Sequence, residues 1–188
     1  MRTAYIGMGA NLPSDAGPPE TTLTGAAACL ESLGRVAVRS SLFSTEPVGF
    51  LDQPRFLNAA VALETELTPF ELLGAVLLIE QDFGRDRLMS FSNGPRTLDL
   101  DILLFSDFVI GGSSLVIPHP RLAERAFVLV PLNEIAPHAL DPRSGNTVSQ
   151  LLQSLVPGPG NDIHAVVPIQ SDLWRPGAGS GATDSGKP

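Results

Sequence analysis

The sequence predicts an α+β domain of ferredoxin-like type: a βαββαβ core with a mainly antiparallel sheet, helices on one face, and a helical and hairpin extension at the C-terminus. Three observations point there. Short apolar runs and two helix-periodic stretches follow in the order strand, helix, strand, strand, helix, strand, the split βαβ arrangement. The run after the second helix is preceded by Gly94-Pro95, a pair that stops any helix arriving from upstream. The 188 residues are enough for one well-buried domain.

Residues 3–8 form a short apolar strand that ends in the turn 9–13, and the loop continues over 15–19. Residues 21–33 are Ala-rich and helical, with Leu23, Ala27, Leu30 and Leu33 at helical spacing and Gly34 as the stop. Residues 36–44 read as one strand. The Pro-bounded stretch 45–54 is a loop of the length that often carries function. Residues 56–65 are the next strand. Thr68-Pro69-Phe70-Glu71 is a capping box with proline at the first helical position, opening a helix that reaches Phe83 and stops at Gly84. A second long loop, 85–93, leads to the strand 98–105. With both helices on one face, the other face is expected to be free for loops and ligand. Beyond Asp107, residues 109–110 and 115–117 pair as a hairpin across Gly111-Gly112, ended by Pro118-His119-Pro120. Helical regions 122–133 and 148–155 follow, and Val166-Val167 adds an edge strand. One domain therefore spans 1–170. Residues 171–188, composed of Gly, Ser, Ala, Thr and Asp from Pro176 almost to the end, are expected to be disordered. No internal repeat is visible.

The chemistry concentrates in the strand 98–105. Its apolar run is interrupted only by Asp99 and Asp101. On a strand these two share a face, with Cα atoms roughly 6.5–7 Å apart. Leu98, Leu100, Ile102 and Leu104 take the other face. Two charges on a core strand are costly without compensation, and a Mg²⁺ ion held by one or two carboxylates plus substrate phosphates supplies it. The alternative is a solvent-facing pair on an edge strand. The neighbouring Arg85, Arg87 and Arg96 favour the first reading, because guanidinium forks take phosphate oxygens while carboxylates take the metal.

The formal net charge of −8 argues against a broad nucleic-acid footprint, so phosphate binding must come from local clusters. The only lysine is Lys187, which excludes a P-loop and a lysine Schiff base. Cys29 is the only cysteine, so neither an intrachain disulfide nor a cysteine-based zinc site is possible. The N-terminus carries no signal-peptide pattern, and no run approaches the ~18 apolar residues of a membrane span. The expectation is a soluble, cytoplasmic monomer with no nucleic-acid or membrane partner.

Four segments, in this order, carry a resemblance: Tyr5-Ile6-Gly7-Met8-Gly9-Ala10-Asn11-Leu12, Asp52-Gln53-Pro54-Arg55-Phe56-Leu57-Asn58-Ala59-Ala60-Val61, Gly94-Pro95-Arg96-Thr97-Leu98-Asp99-Leu100-Asp101, and Pro118-His119-Pro120-Arg121 running to Arg125-Ala126-Phe127. Over residues 5–169 the chain resembles the 6-hydroxymethyl-7,8-dihydropterin pyrophosphokinases of folate biosynthesis. The resemblance implies a ferredoxin-like α+β fold and transfer of pyrophosphate from ATP to the pterin hydroxyl with two Mg²⁺ ions, releasing AMP. It implies Asp99 and Asp101 as metal ligands. It implies Arg85, Arg96, His119 and Arg125 as ATP phosphate contacts, with Glu80 and Ile102 near the nucleotide. Arg87 resembles a mobile-loop arginine that helps during chemistry. Phe56 and Phe127 resemble the aromatic pair that sandwiches the pterin, and Asn58, with the backbone of Thr45 and Val48, the groups that read its polar edge.

Four positions depart from the family pattern. Asn93 stands where a Trp often precedes Gly-Pro-Arg, Ser92 where a basic residue is common, Leu77 where a polar residue is frequent, and Ser114 where an Arg can reach ATP. Two other classes stay open: another Asp-x-Asp metal enzyme such as a nucleotide-sugar transferase, disfavoured by size and by the lack of a Rossmann glycine pattern, and a pterin or nucleotide binder without turnover, disfavoured by the presence of both carboxylates and Arg96.

Overall fold

A computed structural model of the chain describes residues 1–87, 91, 93–158 and 161–178. Strand β1 (Arg2–Ala10) is central, antiparallel to β4 (Phe56–Thr65) on one side and β5 (Asp99–Phe105) on the other. Outside β4 runs β2 (Arg35–Arg39), giving the order β5-β1-β4-β2. With α1 (Pro19–Leu30) after β1 and α2 (Pro69–Asp82) after β4, this is the expected ferredoxin-like core.

The strand expected over 36–44 is divided. β2 ends at Arg39, and β3 (Leu42–Thr45) resumes the pairing with β4. The Ser40 hydroxyl sits in the break, accepting from the Ala60 N–H at 2.9 Å and donating to the Ser41 carbonyl at 2.7 Å. The helix expected over 21–33 runs from Pro19 to Leu30 and tightens into a 3₁₀ turn over Glu31–Leu33. The capping box of α2 forms as read, with Thr68 and Glu71 bonding each other's backbone N–H.

Helices α1 and α2 cover one face, where Leu23, Leu30, Leu72 and Val76 meet Ile6, Met8, Leu100 and Ile102. The opposite face is free only at one end. Helices α3 (Ala126–Ile135) and α4 (Val148–Gln153) cover the rest, through Leu129, Leu132, Val148 and Leu151, around Ala60, Leu103 and Leu104. A β-bulge makes this second core possible. Ile6 pairs with Ile102 and Tyr5 with Leu104, so Leu103 is the extra residue and the alternation changes phase. Leu104 therefore leaves the face of Leu98, Leu100 and Ile102, and Phe105 joins it instead.

Strands β6 (Ile110–Gly111) and β7 (Val116–Ile117) form the expected hairpin, followed by a cis Ile117–Pro118 bond. The His119 N–H donates to the Leu103 carbonyl at 2.9 Å, fixing this turn beside β5. Strand β8 (Val167–Ile169) extends the sheet from β3, as its edge reading anticipated.

Packing against the sheet continues past residue 170. Trp174 is 2% exposed, and its indole N–H donates to the Ser40 carbonyl at 2.7 Å. The Arg39 guanidinium lies 5.7 Å from its ring centroid, the Ser171 hydroxyl bonds Glu20, and β9 (Gly177–Ala178) pairs with β2. One aromatic residue beside the β2–β3 break anchors a segment whose composition alone suggests disorder. Residues 179–188 of the expected tail, and 88–90 and 92 of the expected loop, lie outside the described residues. Among the described residues no helix is long and apolar enough to cross a membrane.

Candidate active site

At the free end of the second face lies a cleft of about 300 Å³. Its floor follows from strand register. Gly9 on β1 pairs with Asn58 on β4 and with Asp99 on β5, and Gly7 pairs with Ala60 and Asp101. Ile6 and Met8 point into the first core, so the two glycines face the cleft side. A Cβ at Gly9 would lie 3.1 Å from Asn58 Oδ1. The bare backbone there leaves an open lane between Asn58 and the carboxylates.

Asp99 and Asp101 share the cleft face, as the strand period requires, and both line the cleft. Arg96 Nη1 meets Asp99 Oδ2 at 2.7 Å, and Arg85 Nη2 stands 3.8 Å from Oδ1. Arg85 Nε and Nη1 are buried without a hydrogen-bond partner. His119 Nε2 lies 3.9 Å from Asp101 Oδ2, while its Nδ1 accepts from the Arg121 N–H at 3.1 Å. Five arginines, 85, 87, 96, 121 and 125, line this cleft in a chain of net charge −8. The local field therefore opposes the global one and favours an anionic ligand.

Burial first, and then the Asp99 carboxylate, raises Asp101 to about 7, against the pull of Arg125 and Arg96. Burial, and then Arg125, pushes His119 down to about 4, so its imidazole is neutral at pH 7; with Nδ1 accepting from Arg121, Nε2 carries the proton and is the donor toward the cleft. Burial also lowers Arg85 and Arg125 from the usual guanidinium value. A carboxylate pair that resists full ionisation, ringed by cations, has the chemistry to take a divalent ion together with phosphate oxygens.

The other end of the cleft is built from the 45–56 segment and α3. Phe56 and Phe127 line it, with the Arg96 guanidinium 5.5 Å from the Phe56 centroid and the Arg125 guanidinium 5.4 Å from that of Phe127. The Thr45 hydroxyl accepts from Asn58 Nδ2 at 2.8 Å and fixes the amide. Val48 completes this wall. The rings and the amide suit a flat heterocycle with a polar edge.

Two anticipated residues do not reach the cleft wall. Ile102 is buried among the first core. Glu80 is 1% exposed, and its Oε1 accepts the Leu100 N–H at 2.8 Å while Oε2 accepts from Arg87 Nε at 2.9 Å. It therefore buttresses β5 from behind and holds Arg87. Burial, partly offset by these two bonds, raises its pKa. Gly9, Glu46, Phe91, Asn93 and Arg121 also line the cleft but were not singled out as site residues. For Gly9 the signal was present: Ile6-Gly7-Met8-Gly9 places two glycines on one strand face, yet only register shows what they lie beside. Arg121 is legible only once the 118–121 turn is seen against β5. Phe91 meets Phe50 edge-on, with centroids 5.4 Å apart.

The sequence pattern of the 7,8-dihydro-6-hydroxymethylpterin-pyrophosphokinase family matches residues 5–137. The chain is 42% identical to the 2-amino-4-hydroxy-6-hydroxymethyldihydropteridine pyrophosphokinase of Synechocystis over 172 residues, 90% of this chain and 82% of the relative. It is 48% identical to the Bacillus subtilis protein of the same name over 134 residues, covering 70% of this chain and 77% of that one. For the Methylorubrum extorquens protein the identity is 43% over 159 residues, 84% and 96% of the two chains. Among solved structures, a Plasmodium falciparum HPPK-DHPS superposes with a TM-score of 0.61 at 17% identity, over 80% of this chain. An HPPK-DHPS in complex with substrates gives 0.65 at 14% identity, over 81% of this chain. The chain spans 42% and 44% of those two longer chains, respectively.

Proposed function

The chain belongs to the 7,8-dihydro-6-hydroxymethylpterin-pyrophosphokinase family, and from this we propose that it transfers pyrophosphate from ATP to the hydroxyl of 6-hydroxymethyl-7,8-dihydropterin. The reaction is a step of folate biosynthesis and yields AMP and the pterin diphosphate. One observation supports it above the others: a single cleft joins an aromatic and amide wall to two carboxylates and five arginines.

We assign Phe56 and Phe127 to sandwich the pterin ring. Asn58, with the backbone of Thr45 and Val48, reads its polar edge. Arg85, Arg96, Arg125 and neutral His119 hold the phosphates of ATP. Asp99 and Asp101 suit two Mg²⁺ ions, because both carboxylates face the cleft from one side of β5, and burial with their mutual repulsion makes Asp101 costly to ionise without a cation. Among the described residues no group of three or more His, Cys, Asp or Glu side chains is set to hold a metal, so phosphate oxygens would complete the shell. Mg²⁺ bound there neutralises phosphate charge and polarises the reacting groups.

Arg87, paired with Glu80 in this structure, leaves that carboxylate to meet charge developing during transfer. Glu80 thereby acts on the nucleotide half from behind β5. The hydroxymethyl oxygen attacks the β-phosphorus in line, and its proton leaves to solvent. No covalent enzyme intermediate is needed. The chain works as a cytoplasmic monomer, which sedimentation of the purified protein tests.

Chromatography of a reaction holding ATP, Mg²⁺ and the dihydropterin is expected to show AMP rising one for one with substrate loss. ADP as the main nucleotide, or turnover that does not depend on the pterin, would overturn the assignment.

A further inference from the structure

We infer that Asn11 is a positioning residue for this transfer: its buried side chain ties the segment that carries Arg96 to the segment that enters β4 with Phe56 and Asn58, and so sets the separation of the two substrates. The inference rests on the function proposed above.

Asn11 follows the last residue of β1 and is 3% exposed. Its Oδ1 accepts the Arg96 N–H at 2.8 Å, and the backbone N–H groups of Asn11 and Leu12 both donate to the Arg96 carbonyl at 3.0 Å. Its Nδ2 donates to Gln53 Oε1 at 3.0 Å and to the Pro54 carbonyl at 2.9 Å. Gln53 extends the tie, with Nε2 donating to the carbonyls of Phe50 at 2.6 Å and Asn93 at 2.8 Å. The orientation of the Asn11 amide is dictated by partners that cannot change: an N–H at Arg96 requires the oxygen, and a carbonyl at Pro54 requires the nitrogen.

One planar group therefore holds both segments. On one side Arg96 pairs with Asp99 and covers the ring of Phe56. On the other, Phe56 lies two residues beyond Pro54. A slip between the segments moves the phosphate clamp relative to the aromatic platform. Asn11 touches neither substrate site directly, so its effect falls on alignment, and a misplacement of about 1 Å can cost on the order of 100-fold in rate. A buried asparagine that only held a turn would lower stability and both substrate affinities together.

Asn11→Asp keeps the shape and the acceptor for Arg96 but removes both donors and sets an oxygen against the Pro54 carbonyl. It is expected to lower the melting midpoint by several degrees, because a carboxylate is buried against two acceptors; assayed well below that midpoint, it is expected to lower kcat about 10- to 100-fold while the KM for ATP moves less than about threefold. Asn11→Ala is expected to lose more; should it fail to fold, the Asp variant still decides. An Asp variant with kcat within about twofold of wild type, or one whose loss tracks its melting midpoint and is recovered on cooling, overturns the inference. Absence of AMP formation by the wild type overturns the assigned reaction instead. The tie is then read by NMR of the ligand-free protein, where Asn11→Asp is expected to shift the Arg96 Nε–H and Phe56 ring signals. Unchanged signals overturn it.

Discussion

Crowding by protein and by the Asp99 carboxylate gives Asp101 a folded-state pKa of about 7 against an ordinary 3.8. Between those values the folded chain binds a proton that the unfolded chain has released, so the folded state is increasingly disfavoured as pH rises through this window and fully so above it. Asp101→Asn removes that penalty. Its ligand-free melting midpoint is expected to exceed wild type at about pH 8 and to converge with it toward about pH 4, while Mg²⁺-dependent turnover is lost. A variant no more stable at the higher pH, as followed by calorimetry, would contradict the assignment of the strained carboxylate. At the other end of the cleft, Asn58→Ala is expected to weaken pterin binding by about 1–3 kcal/mol, because buried polar groups lose their partner, with ATP affinity in the absence of pterin unchanged. Equal losses for both ligands in titration calorimetry would indicate general misfolding. Strand periodicity was enough to put Asp99 and Asp101 on one face with Arg85, Arg87 and Arg96 near them in sequence, whereas Phe56, Asn58 and Arg125 were pointed out only by the resemblance. The burial of Glu80 was not legible, because a carboxylate on a helix gives no sign that β5 will cover it. Neither was Asn11, whose partners lie 42 to 85 residues away.

Among the elements, those with strong local signals formed as read. The capping box of α2 and the Gly111-Gly112 hairpin depend on neighbours in sequence. The features that escaped are those set by a partner strand. Ser40 breaks β2 from β3 by bonding to Ala60 across the sheet, and the bulge in β5 is defined only against Tyr5 and Ile6. That bulge has a measurable signature. Leu104→Ala is expected to cost about 2–5 kcal/mol. In double-mutant cycles it is expected to couple to Leu129, which shares the α3–α4 core, and to add simply with Leu72, which belongs to the other. The reverse pattern in denaturant melts would mean that strict alternation holds and the bulge is absent. Arg87 belongs to this scale too, since the Glu80 pairing ties the end of α2 to the residues after it. Arg87→Ala is expected to slow the chemical step more than it weakens ATP binding in the ground state, a split that single-turnover kinetics resolves.

Across the whole molecule, two opposing distributions coexist: an acidic chain and a cationic cleft. Long-range attraction for ATP therefore comes from local focusing, and its association rate is expected to fall with salt despite the like overall charge. The body closes with Trp174 seated beside the β2–β3 break. Truncation after residue 170 removes this side chain and the β9 pairing, and is expected to lower the melting midpoint by several degrees. An unchanged midpoint would show that the segment only rests on the surface. Trp174 is also the only tryptophan in the sequence, and its contact with Ser40 spans 134 residues. During synthesis, β1, β4 and β5 can pair long before this residue exists. Chain order thus lets the sheet assemble around an unfilled socket beside Ser40, which Trp174 occupies only after every strand of the core has been made. Because no other indole contributes, the emission of this one ring reports the moment of completion, separately from the formation of the catalytic cleft.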